Sequence, residues 1–247
     1  MRILVYYLMI LKNRKGLLNM LTKSFVRILS ALMLVGLIAA CSSGEDRQEK
    51  YLERAKVYYD EGDIDKARIE ARNVLQINPK NTAARQLLGD ISYDDGDIRK
   101  AYGMFLSVLD ENPDNIAAHT SMAKIYIAVK DYDKTIEHSN SILAIESDNA
   151  LVLGYKALAL AGQGNVAKAE EVAAEALLID PGSTEALGVM VQKYFNEKSN
   201  EKGLAVLERG QLANPDEVRI ISMKISLLEN MGKTEAVEAE LIGLADK

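Results

Sequence analysis

The strongest constraint on this chain is a spacing of 34 residues that recurs at three unrelated kinds of position. All four prolines lie on one lattice, Pro79, Pro113, Pro181 and Pro215, with Ser147 at its vacant point. A second lattice, mostly glycine, runs through Gly62, Gly96, Lys130, Gly164, Lys198 and Gly232. A third, small or apolar, runs through Ala67, Ala101, Thr135, Ala169, Gly203 and Val237. A period of this length marks a chain assembled from copies of one supersecondary unit, none of which buries its apolar face alone.

The residues between the lattice points show what the unit is. Tyr51, Ala55 and Tyr58 recur at the spacing of one helix face. Gly62 then breaks the helix, since glycine accepts the left-handed conformation that ends helices, and Asp63 is placed to cap the next one. Ala67, Ala71, Val74 and Leu75 form a second stripe, which Pro79 closes because proline cannot continue a helix interior. Small residues at Ala55, Gly89, Ala123 and Ala157, and at Ala67, Ala101 and Ala169, let the paired helices approach closely. Gly203 and Gly210 predict a weakened second helix in the fifth repeat, by about 1 kcal/mol each relative to alanine.

The period and these residues resemble the tetratricopeptide repeat (TPR), an antiparallel helix pair. Six repeats are expected, at 48–81, 82–115, 116–149, 150–183, 184–217 and 218–247. The second matches best, through Leu88, Gly89, Ala101, Phe105 and Pro113. The tryptophan that often opens the pattern is replaced by Tyr51, Arg85, His119, Leu153, Leu187 and Ile221. The resemblance implies an all-α, right-handed superhelical solenoid of helix-turn-helix repeats.

It also implies a ligand-binding concave wall lined by positions 2, 5, 9, 12 and 13 of the first helices. Carried onto this chain, the partner-binding candidates are Lys56, Tyr59, Asp60, Gln86, Asp90, Tyr93, Asp94, Lys124, Ile127, Leu158, Gln192 and Phe195. Aromatics beside acids suit a protein or peptide partner. Around Ile127, Gly154, Leu158 and Ala161 the wall reads as small and apolar, with room for an extended segment or helix. The Lys/Asn/Arg set with which some TPR domains clamp a C-terminal carboxylate is missing.

The N-terminus reads as an address. Ile28 to Ala40 is a short apolar run, preceded by Lys23 and Arg27 and closed by Ala39 and Ala40, the layout of a secretory signal peptide over residues 1–40. Ile38-Ala39-Ala40-Cys41 resembles a bacterial lipobox, which implies a lipid on Cys41, the only cysteine, followed by a linker over 41–47. Ser42 in place of aspartate points to the outer membrane facing the periplasm. Met20 opens a compact leader of this type and is the expected start. The chain reaches Lys247 before the expected sixth proline, so a short scaffold and a longer protein with a further domain both remain open.

Composition narrows the chemistry. Residues 1–40 hold six Lys/Arg and no acid, so the remainder carries 24 basic and 36 acidic residues, a net charge of −12 that disfavours nucleic acid. No catalytic residue, cofactor, metal site or small-molecule substrate is expected. His119 and His138 fall at packing positions on different helices, and acid pairs such as Glu170-Glu171 read as solvated surface. The segment Ala67 to Gly89 resembles the opening repeats of TPR lipoproteins of exosortase/PEP-CTERM exopolysaccharide systems. Overall size also resembles type IV pilus assembly lipoproteins. Both imply a non-enzymatic scaffold for an envelope, secretion or exopolysaccharide machinery.

Overall fold

The computed structural model describes residues 44–245. The signal peptide, Met20, Cys41 and Lys247 lie outside the described residues. Among the described residues there are twelve helices and no strand: α1 (44–60), α2 (Ile64–Ile77), α3 (Thr82–Asp94), α4 (Ile98–Glu111), α5 (Ile116–Ala128), α6 (Tyr132–Leu143), α7 (Ala150–Gly162), α8 (Val166–Ile179), α9 (Thr184–Asn196), α10 (Asn200–Ala213), α11 (Val218–Asn230) and α12 (Thr234–Ala245). From the second repeat onward, each first helix starts where the lattice places it. The first repeat differs. Residues 44–47, expected as linker, form the opening turn of α1. Glu45 and Asp46 favour this early start, because acids near a helix N-terminus meet the positive end of its dipole.

The hairpin reversal is identical in all six repeats. The residue after each lattice glycine donates its N–H to the carbonyl five residues back, from Asp63 to Tyr58 (2.8 Å) through to Lys233 to Leu228 (3.0 Å). This closure requires a left-handed residue just before the donor. Gly62, Gly96, Gly164 and Gly232 supply it with φ between 70 and 81°, and Lys130 and Lys198 are held at 61 and 54°. The repeat therefore imposes the conformation even where the residue resists it, at about 1–2 kcal/mol each.

The prolines act through the residue before them. Asn78, Asn112, Asp180 and Asn214 leave the helix at φ between −129 and −139°, away from the helical region, as pre-proline residues must. The repeat with Ser147 lacks this stop, yet α6 is shorter: it ends at Leu143 with Ala144 still helical in φ and ψ. Asn81, Asn115 and Asn149 then cap the following first helices by accepting from Ala84, Ala118 and Val152 N–H.

The described chain divides into two compact units, with the boundary between Ala84 and Arg85 inside α3. In the first, Ala55, Ala67, Ala71 and Val74 are fully buried. Arg54 forks onto Glu70, Nε to Oε1 at 3.0 Å and Nη2 to Oε2 at 2.9 Å, joining α1 to α2. In the second unit each helix from α4 to α12 packs on its neighbours in sequence, and α5, α7, α9 and α11 also touch one another in a row.

Two cores stand out among the described residues of the second unit. Ala101, Phe105, Met122, Ile125 and Tyr126 form one. Gly89 admits Phe105 to it, since a Cβ there would lie 2.4 Å from the ring. The other is aliphatic and continuous from Leu153 to Val237. Gly210 belongs to this packing: a Cβ would meet Leu187 Cδ1 at 2.7 Å and the Pro181 carbonyl at 3.1 Å. That glycine is a close-approach site, which corrects its reading as a simple weakness of the fifth repeat.

Candidate functional site

The row of first helices in the second unit carries most of the sequence-predicted wall. Because those residues lie at matching positions 34 apart, helix stacking alone brings them onto one face. Lys56, Tyr59 and Asp60 belong to the first compact unit, where Lys56 and Asp60 are exposed and Tyr59 half-buried.

At the α3–α5 end, Gln86, Asp90, Tyr93, Asp94 and Lys124 do come together. Gln86 Nε2 donates to Asp90 Oδ1 and to Ser121 Oγ, both at 3.0 Å, and Ser121 Oγ donates to Asp90 Oδ1 at 3.4 Å. Gln86 Oε1 is buried and accepts no hydrogen bond from the described residues. Burial pushes the Asp90 carboxyl up to about 6, against the opposing effect of the two neutral donors. The Lys124 ammonium sits 4.2 Å from the centre of the Tyr93 ring. Ser121 was not singled out by the sequence, because it lies off the expected ligand positions.

The middle of the row differs from expectation. Ile127, Leu158 and Ala161 are half-buried, and the last two pack on the aliphatic core. Gly154 offers no open space: a Cβ would lie 2.8 Å from Glu185 Cβ and 3.1 Å from Ser183 Oγ. Glu185 is itself buried, with Arg219 Nη1 donating to its Oε1 and Thr184 Oγ1 to its Oε2, both at 2.8 Å. Glu185 and Arg219 occupy position 2 of their helices, the one ligand line from which no candidate was drawn. Burial, then the Glu185 charge and Tyr93, raises the Tyr155 phenol to about 12, so it remains a neutral donor.

At the α9–α11 end the row opens into a groove of about 480 Å³. Val191, Met223 and Leu227 make its apolar floor, Phe195 stands beside it at 45% exposure, and Gln192, Ser222, Ser226 and Asn230 rim it. Gly188, with nothing within 4 Å of a would-be Cβ, keeps it open. Gln192 and Phe195 were anticipated, and Ser222 and Ser226 lie on the expected ligand lines at positions 5 and 9; Met223 lies off them, since its meaning depends on the gap between two helices. A second groove, of about 510 Å³, lies on the other side of the stack between α8 and α10, edged by Leu178 and Leu212 at 86 and 81% exposure.

The two histidines also meet. Their Nδ1 atoms are 2.7 Å apart, and His119 Nε2 is 2.8 Å from the Pro113 carbonyl. A carbonyl only accepts, so His119 Nε2 carries the proton and His138 Nδ1 donates to His119 Nδ1. His138 stacks on Tyr126 at 5.4 Å, and burial, reinforced by His119, pushes it down to about 4. The pair ties α5 to α6. No group of three or more His, Cys, Asp or Glu suited to a metal occurs among the described residues.

Comparison with known proteins places the fold. The tetratricopeptide repeat profile matches residues 58–125 and 160–224, together more than half of the chain. No curated protein sequence matches it. Among solved structures, Pseudomonas aeruginosa pilF is similar with a TM-score of 0.66 at 13% identity, over 82% of this chain and 92% of that one. TTC0263, a thermophilic TPR protein of Thermus thermophilus, gives 0.61 at 16% identity, over 73% and 98%. YrrB, described as a TPR protein with an unusual peptide-binding site, gives 0.53 at 16% identity, over 70% and 90%. With the repeat pattern, the helix pairs and the profile in agreement, this chain belongs to the tetratricopeptide repeat family.

Proposed function

We propose that the chain is a non-enzymatic protein-binding scaffold whose first-helix row grips a segment of a partner protein. The observation that carries this is the groove between α9 and α11. An apolar floor, a half-exposed phenylalanine and an uncharged rim of amides and hydroxyls suit an apolar side chain together with its flanking backbone. Phenylalanine and methionine, present here as Phe195 and Met223, are both enriched in the cores of protein interfaces.

The chain is tethered to the membrane through a lipid on Cys41 and acts at the outer membrane, facing the periplasm, where it assists assembly of an envelope or exopolysaccharide machinery. The lipobox-like run ahead of Cys41 supports the tether. Pilus assembly is the alternative within the same class, compatible with the fold shared with pilF.

A photo-crosslinking residue at Phe195, in living cells, captures the partner for mass spectrometry. Capture from Leu212 on the opposite groove, with none from Phe195, overturns the assignment of this face. Cys41→Ser abolishes metabolic labelling by a fatty acid; retained labelling removes the tether. The captured partner decides between exopolysaccharide and pilus roles.

A further inference from the structure

The α3–α5 end of the same row carries chemistry that the fold does not need. A carboxylate held among neutral donors and partly withdrawn from water destabilises the folded chain at neutral pH, and Asp90 is in that position: its hydrogen bonds come from the Gln86 amide and the Ser121 hydroxyl. Gln86 Oε1, beside it, is a buried acceptor with no donor among the described residues. The nearby cation does not bond the carboxylate; Lys124 is exposed and rests on the Tyr93 ring. That contact shows that the ring face accepts an ammonium group. Carboxylate and aromatic face are together the complement of a lysine or arginine side chain, and the net charge of −12 beyond residue 40 favours a basic partner.

We infer that Asp90 and Tyr93 form a pocket for a lysine or arginine of the bound segment, which displaces Lys124 from the ring and supplies Asp90 with a cationic donor. This rests on the first-helix row being the binding face and adds the partner's chemistry: a segment of another protein with a basic side chain at the α3–α5 end and an apolar one toward the groove beside Phe195.

The test selects a displayed library of random short peptides against the purified chain and against three variants. Wild type retains peptides enriched in Lys or Arg and, several residues away, in an apolar residue, because α7 stands between the two ends of the row. Asp90→Asn keeps the shape and the hydrogen bonds, and loses the basic enrichment by about tenfold, the scale of one charge-assisted hydrogen bond. Lys124→Gln strengthens the enrichment, because the resident cation no longer competes. Phe195→Ala removes the apolar preference and leaves the basic one. Thermal unfolding confirms that each variant is folded. If Asp90→Asn and wild type select the same peptides while Phe195→Ala changes them, the cation pocket is wrong and the binding face stands. If nothing is retained, or Phe195→Ala changes nothing, the face itself is wrong. A wild-type dimer in sedimentation that Asp90→Asn dissolves makes the occupant a second copy and overturns the peptide assignment.

Discussion

The early repeats and the late ones hold their helices in different ways. Among second helices, α2, α4 and α6 start on aspartates, Asp63, Asp97 and Asp131, whose side chains accept from Lys66, Lys100 and Lys134 N–H. At the same lattice point α8 and α10 have Asn165 and Ser199, which make no side-chain cap. Packing runs the opposite way. Around α4–α6 the core is a small aromatic cluster joined to the histidine pair, whereas from α7 onward it is one unbroken aliphatic body. Local polar contacts and long-range burial are alternative ways to hold the same helix pair in place. Losing a cap is tolerable where neighbouring repeats supply enough apolar surface.

The largest expected effect comes from charge in either core. Ala101 is fully buried, so Ala101→Asp costs about 4 kcal/mol or more and abolishes cooperative unfolding by circular dichroism. Wild-type thermal stability in that variant would break the helix-pairing register. Next is Gly210→Ala, which overpacks the late core against Leu187 and the Pro181 carbonyl and costs about 1–3 kcal/mol. If it stabilises instead, the close approach of α10 to α9 is not as drawn.

Acid acts on two groups of the early repeats in opposite directions. His138 is pushed below its ordinary value of 6.5 to about 4, so its stabilising neutral form is fully populated above 6.5. That contribution is lost as pH falls through this window, because the unfolded chain binds the proton first. Allowing for solvent screening of a half-exposed group, the loss is about 1–2 kcal/mol. Asp90 works in the opposite direction. Its folded value is raised from 3.8 to about 6, so its penalty is absent below 3.8 and grows as pH rises through 6. Thermal melts between these limits show a steeper acid loss in Asp90→Asn than in wild type, and a flatter one when His138 is replaced by phenylalanine.

Smaller still are the caps. Asp97→Ala costs about 1 kcal/mol and Asn165→Ala only a few tenths, read from denaturant midpoints. Equal losses would remove the contrast between the two halves. An effect of similar size is a gain. Lys130→Gly and Lys198→Gly each relieve a left-handed residue and stabilise by about 0.5–1 kcal/mol once glycine's greater unfolded freedom is counted.

The helix-pair architecture was readable from the residues alone because its determinants are local and repeated. A glycine reversal, a proline stop and an Asp or Asn cap act within a few residues, and six copies of the pattern place them without ambiguity. The same repetition carried Gln192 and Phe195 to one face. What required the three-dimensional arrangement was everything set by the space between helices of different repeats. Gly154 looked like open wall and is covered by Glu185 and Ser183. Gly210 looked like a weak point and is where two helices touch. His119 and His138 looked like unrelated packing residues and share a hydrogen bond. Periodicity reports which face a side chain is on; whether that face meets a groove, a carboxylate or another imidazole depends on distances between residues far apart in the chain, which no local pattern encodes.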